Sequence, residues 1–154
     1  MDEPEFQQSL QRSISRHAAD YVRRGLWTEA ESLAAMAREF GRMFPQGRHT
    51  PDRYFARLVD AARDQRVGET WYLAEHRGGK VRFWVDWIWI EPEYRRQGYA
   101  TAAFRQLEDE ARRLGADRIG LSVWSDNPGA VALYTQLGYS TTTMSMMKLL
   151  PTGE

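Results

Sequence analysis

The chain has 154 residues, enough for one domain with a real core and too few for two ordinary ones. Its 21 Lys and Arg balance 21 Asp and Glu, so the chain as a whole is no polyanion binder, although a local basic site remains allowed. It contains no cysteine, which excludes a disulfide framework, a thiolate metal site and a catalytic thiol.

The front third reads as helical. Glu5 to Arg24 ends at Gly25, and Thr28 with Glu31 forms a capping-box signature ahead of "SLAAMAREFGRMF". "PQGRHTP" (Pro45 to Pro51) is a loop by composition. "DRYFARLVDAARDQ" suits either a short helix or a strand closing into a hairpin at "ARDQ"; a strand over Phe55 to Asp60 is preferred. Next come a strand in "VGETWYLAEH", a turn at "RGGK" and a longer strand in "VRFWVDWIWIEP". Alternation places Val81, Phe83, Val85, Trp87 and Trp89 on one face of that strand. Arg82, Trp84, Asp86, Ile88 and Ile90 fall on the other. Both sets are largely apolar, which predicts cover on both faces.

A helix over Gly98 to Leu114 follows, stopped by Gly115. Then come a strand in "DRIGLSVW", a helix in "NPGAVALYTQLG" and a closing strand in "YSTTTMSMMKLL". "PTGE" reads as a frayed tail. The order is helices, β-meander, then βαβαβ, an α/β (α+β) chain forming a single domain over residues 1–154. The longest apolar runs fall well short of the ~18 residues of a membrane span. The start "MDEPEFQQ" is acidic where a signal peptide is basic, so the sequence predicts a soluble, cytoplasmic protein without membrane contact.

A strand, a glycine-bearing turn and a helix in succession form the arrangement in which free N–H groups and the helix dipole favour an anion. Here the turn is Arg95-Arg96-Gln97-Gly98, rich in positive charge and donors. The bland alternative is a solvated arginine pair in a loop. Arg95, Arg96, Arg112, Arg113 and Arg118 do not make a nucleic-acid surface, because Glu108, Asp109, Glu110 and Asp117 are interleaved with them. His17, His49 and His76 lie far apart without ligand spacing, and no metal site is predicted.

"EYRRQGYATAAF" resembles motif A of the GNAT superfamily, the acyl-CoA-dependent N-acetyltransferases, with its pattern Arg/Gln-x-x-Gly-x-Gly/Ala. "DNPGAVALYTQLGY" (Asp126 to Tyr139) resembles the family's motif B. The close resemblance covers Val81 to Leu150; Val67-Gly68 is a third echo, and Tyr21 to Trp27 with Thr50-Pro51 are similar to small bacterial single-domain members. The resemblance implies a GNAT fold, a mixed, twisted central sheet whose two central parallel strands splay apart, flanked by helices.

It also implies acetyl-CoA (coenzyme A) as cofactor. The pyrophosphate would lie on Arg95, Arg96, Gln97, Gly98, Tyr99, Ala100 and Thr101, and the pantetheine along Ile88, Trp89 and Ile90. Asn127, Ala130 and Tyr134 would flank that arm. Tyr134 matches the motif B tyrosine that donates a proton to the leaving thiolate; the alternative is a core aromatic. Asp86 is in line with a strand-borne carboxylate that serves relatives as base, here through a water, or else it is a structural partner of Arg82 or a loop arginine. Glu91 is the second candidate base. Ser122 stands where some relatives carry a glutamate, and His49 and His76 read as loop or surface histidines. Trp84 is the ring placed with Asp86 at the substrate, in a cluster with Trp71, Tyr72, Trp87 and Trp89 that otherwise reads as core.

The implied reaction is N-acetylation of a primary amine on a small molecule. A protein or peptide amino group and a non-catalytic acyl-CoA-binding module are the alternatives. Homodimers are common in the family, and an exposed edge after the last strand would suit one.

Overall fold

The computed structural model describes residues 1–148 and Leu150. These fall into two compact units, Met1–Ser122 and the chain from Val123 onward. No helix among the described residues is long and apolar enough to cross a membrane.

In the first unit, α1 (Glu3–Arg23) starts two residues before the predicted Glu5. Asp2 accepts from the Glu5 N–H and the Glu5 carboxylate accepts from the Asp2 N–H, each at 2.9 Å, a capping box that satisfies two otherwise orphaned donors. In α2 (Glu29–Met43) the expected capping box does not form. The Thr28 hydroxyl instead donates to the Glu31 carboxylate at 2.5 Å.

After the loop, β1 (Arg53–Asp60), β2 (Gln65–Arg77) and β3 (Lys80–Ile90) make an antiparallel meander. The ambiguous segment is thus a strand, closing through a turn at Ala61–Asp64. Then α3 (Tyr99–Arg113) crosses over to β4 (Ile119–Leu121), which lies parallel to β3, giving the order β1-β2-β3-β4. The strand expected through Trp124 is only three residues long, because its ladder with β3 runs from Phe83↔Ile119 to Val85↔Leu121 and stops.

The two helices of the front third cover one face of this sheet. Ile14, Ala18, Met36, Phe40 and Phe44 pack with Trp71, and Phe55 and Trp87 join from the strands. The other face carries the stacked rings of Tyr54, Tyr72 and Phe83. There Tyr72 lies in the field of Glu110 and Arg113 from α3, whose buried stripe is Ala103, Phe104, Leu107 and Ala111.

The alternation expected along β3 holds only as far as Val85. Tyr72 pairs with Val85 but its neighbour Trp71 pairs with Trp87, so Asp86 is an extra residue opposite no partner, a β-bulge. Trp71 and Tyr72 point to opposite faces, so Val85 and Trp87 do as well. Trp87 therefore lies with Trp71 beneath α1 and α2, and Trp89 stacks parallel to it at 6.0 Å. Asp86 meets Arg53, whose guanidinium stands over Phe44 on that same face. The assignment of Trp87 and Trp89 to the face opposite Asp86 is thereby corrected.

The second unit contains α4 (Pro128–Gln136). The closing strand predicted over Tyr139 to Leu150 is absent from its described residues, and Leu149 lies outside them. The Thr and Met pattern suits a strand, but a strand needs a ladder, and no strand partners this segment among the described residues.

Candidate active site

The turn between β3 and α3 has a local cause for its shape. Gly98 is the N-cap of α3 at φ 85°, and Arg96 before it also adopts φ 60°. A β-carbon on Gly98 would meet nothing within 4 Å, so the turn is open on that side. The first intrahelical bond is donated by Ala102 to the Gly98 carbonyl at 3.0 Å. The N–H groups of Tyr99, Ala100 and Thr101 precede it, and no side chain caps them. Three free donors at the positive end of a helix dipole, beside an exposed Arg96 without an ion pair among the described residues, suit a pyrophosphate.

The neighbouring side chains brace the turn. The Arg95 guanidinium lies 4.6 Å from the Trp89 ring centre and its Nε donates to the Ile90 carbonyl at 2.9 Å. Gln97 donates to the Glu93 carbonyl at 2.8 Å. Tyr99 donates its hydroxyl to Asp60 at 2.7 Å, which ties the start of α3 to the end of β1. That bond holds the Asp60 carboxyl below, and the Tyr99 hydroxyl above, their ordinary pKa values.

Next to the turn, β3 loses a neighbour. Pairing with β4 ends at Val85, so within the first unit the stretch Asp86–Ile90, including Ile88 and Trp89, is laddered only on its β2 side. Its other edge presents backbone groups without a strand partner among the described residues, the local form of strand splaying. A chain held against this edge would run from the bulge towards the N-terminus of α3.

The face beneath α1 and α2 carries three carboxylates, each paired. Asp86 bonds Arg53; burial pushes its carboxyl up, and the guanidinium opposes that shift. Glu69 is fully buried and takes the Ser9 hydroxyl at 2.7 Å, the Trp87 indole N–H at 3.2 Å, and Arg66 at 2.8 Å. Arg12 Nη1 reaches both Glu69 and Glu91 at 3.1 Å, and Glu91 also takes the Trp89 indole N–H at 3.0 Å. The Asp86 partner is thus an arginine of β1 rather than Arg82 or a loop residue. Trp84, expected beside Asp86, lies over Gly120 of β4, where a β-carbon would come within 2.5 Å of the ring, and carries Arg82 at 5.4 Å.

Glu69, Arg12, Arg53 and His17 escaped the sequence reading. For Glu69 a signal existed: it stands two residues before Trp71 and so shares its buried face, where a carboxylate requires partners. Nothing in the sequence pointed to those partners.

In the second unit, Asn127 is the N-cap of α4 and accepts from the Ala130 N–H at 3.2 Å. The Tyr134 ring lies 5.9 Å from that of Tyr139, and burial raises its hydroxyl above the ordinary tyrosine pKa.

A family model described as the acetyltransferase (GNAT) family matches residues 21–139. The N-acetyltransferase YdgE of Bacillus subtilis is 30% identical over 150 residues, covering 97% of this chain and 95% of its own. The crystal structure of the B. subtilis acetyltransferase YycN superposes with a TM-score of 0.91 at 28% identity, covering 99% of this chain and 96% of that one. The Escherichia coli ribosomal protein bS18-alanine N-acetyltransferase is 37% identical over 57 residues, 37% of this chain and 38% of its own.

Proposed function

Since the chain belongs to the GNAT family of acetyltransferases, we propose that it moves the acetyl group of acetyl-CoA to a primary amine of a small molecule. The observation that carries this reading is the unpaired edge of β3 beyond Val85, running towards the uncapped first turn of α3. The N–H groups of Tyr99, Ala100 and Thr101 take the pyrophosphate, assisted by Arg96, while Arg95 and Gln97 hold the turn in shape. The edge at Asp86–Ile90 aligns the pantetheine arm and offers N–H donors to the carbonyl under attack, where preorganised donors contribute most. Acetyl-CoA supplies an activated thioester with a thiolate leaving group.

For Tyr134 we propose the role that motif B implies, donor to the leaving thiolate. Burial keeps its phenol protonated, the form in which it can give a proton. Asn127 and Ala130 are assigned, in the same proposal, the arm-flanking role that the family's motif B implies. Asp86, engaged by Arg53, fixes the bulge and the charge balance of the acceptor face, and Trp84 borders that face over Gly120. The acceptor nitrogen must lose a proton before it can attack, because an alkylammonium has a pKa near ~10.4.

A peptide amino terminus is the second reading, favoured by the segment shared with the bS18-alanine enzyme. One assay tests both: acetyl-CoA-dependent thiol release with polyamines, amino acids, aminoglycosides and N-terminal peptides. Release with a small amine supports the first reading and release with peptides alone the second. Silence across the panel with acetyl-CoA still bound refutes both and leaves an acyl-CoA-binding module.

A further inference from the structure

We infer that His17 is the group that takes the acceptor's proton. This rests on the acetyl-transfer reading above and adds the base that it lacks.

The ring nitrogen Nδ1 of His17 lies 2.8 Å from the Ser13 carbonyl oxygen, one turn earlier on α1. A carbonyl can only accept, so Nδ1 carries the hydrogen. In the neutral ring Nε2 is then a bare lone pair. The Ser13 hydroxyl lies 3.2 Å from the same Nδ1 and leaves Nε2 untouched. Two aromatic contacts fix the direction of the ring: Phe40 of α2 at 5.4 Å and Trp87 of β3 at 5.3 Å. Trp87 is the first residue beyond the bulge and lies within the Asp86–Ile90 edge of β3 that has no strand partner on its β4 side among the described residues. The half-buried His17 thus packs against the strand segment along which the proposed transfer runs the thioester arm.

The other basic groups on this face are occupied. Asp86 is paired with Arg53, Glu69 with Arg12 and Arg66, and Glu91 with Arg12. From α2 the facing group is the neutral Phe40, and on α1 Arg16 and Asp20 pair with each other at 3.8 Å. Nε2 of His17 forms no hydrogen bond among the described residues.

The proton balance is simple. An acceptor R–NH3⁺ gives one proton to Nε2, forming an imidazolium that still donates Nδ1–H to Ser13. The freed nitrogen lone pair forms the C–N bond as the C–S bond breaks; the thiolate takes the proton of the proposed acid Tyr134, and the nitrogen's second proton restores that phenol. His17 then releases its proton to water, so one proton is liberated for each amide and thiol formed.

Two measurements test this. Long-range ¹H–¹⁵N spectra of the imidazole in the whole protein should show Nδ1 protonated and Nε2 bare in the neutral form; hydrogen on Nε2 overturns the assignment. His17→Asn keeps an amide donor for the Ser13 carbonyl and removes Nε2. With the acceptor found by thiol release, it should lower kcat/KM at pH 7 by about 100-fold or more, the usual scale of general-base catalysis. The gap should close as pH approaches the acceptor's own pKa, with acetyl-CoA affinity unchanged. An unchanged kcat/KM, or a gap constant across pH, overturns the inference. Wild-type protein that releases no thiol with any acceptor overturns the transfer reading and this assignment with it. Thiol release together with the wrong tautomer overturns the assignment alone.

Discussion

Gly98→Ala separates the cost of a backbone shape from the cost of a lost ligand. Gly98 sits at φ 85°, where an L-residue costs about 1–2 kcal/mol. The added methyl meets nothing within 4 Å, so no steric penalty joins that strain. At roughly 2–4 °C per kcal/mol for a chain of this size, the melting temperature should fall by about 2–8 °C with the fold intact. Affinity should suffer more. The methyl stands beside the free donors of Tyr99, Ala100 and Thr101, and each charge-assisted bond that a pyrophosphate loses costs about 1.5–3 kcal/mol. Loss of two amounts to roughly 100-fold or more in Kd. Gly115→Ala is the matched control: φ is 87°, a β-carbon again meets nothing within 4 Å, and the site lies just past the opposite end of the same helix. Calorimetric titration with acetyl-CoA should therefore give a weakened Gly98→Ala and an unaltered Gly115→Ala at similar melting temperatures. Equal affinities in the two variants would refute the phosphate turn.

Tyr134→Phe should lower turnover while acetyl-CoA affinity holds; unchanged turnover in the thiol-release assay removes Tyr134 as the acid. Glu69→Ala leaves Arg12 and Arg66 facing a buried site without its anion and should destabilise the chain by about 3–5 kcal/mol, read from urea unfolding. A change below about 1 kcal/mol would show that water satisfies the two guanidinium groups. Tyr72, pushed up to about 12 mainly by burial, stays neutral in the fold where an unfolded tyrosine ionises. Its contribution is full below about pH 10 and is lost as pH rises through the folded value. Tyr72→Phe should flatten the alkaline decline in stability between those limits, and an identical decline would place the cause elsewhere.

The parts of the site legible in the sequence are those whose cause is local. The turn at Gly98 announces itself because a strand, a glycine and an amphipathic helix follow one another without a gap, and the "RGGK" turn is equally local. The bulge at Asp86 is not local. It exists only in the ladder with β2, where Trp71 takes Trp87 and Tyr72 takes Val85, so no period read along β3 alone could reveal it. The same holds for the carboxylate partners. Ser9 reaches Glu69 across 60 positions of sequence and Arg53 reaches Asp86 across 33, and Arg12 likewise reaches Glu69 from α1 through the packing of that helix on the sheet. His17 looked isolated among three histidines because its neighbours Phe40 and Trp87 come from other elements.

One inserted residue has consequences on both sides of the proposed reaction. Without the bulge, Trp87 and Trp89 would continue the phase of Val85 and point towards α3. With it, they turn beneath α1, where Trp87 meets His17 and donates to Glu69, and Trp89 comes under Arg12. A bulge also bends and twists its strand, and the ladder to β4 ends at the residue before it. The edge proposed for the thioester arm and the indole that backs His17 are therefore set by the same local irregularity. Asp86, the extra residue of the bulge, is itself tied to Arg53 of β1, which joins the irregularity to the far edge of the meander.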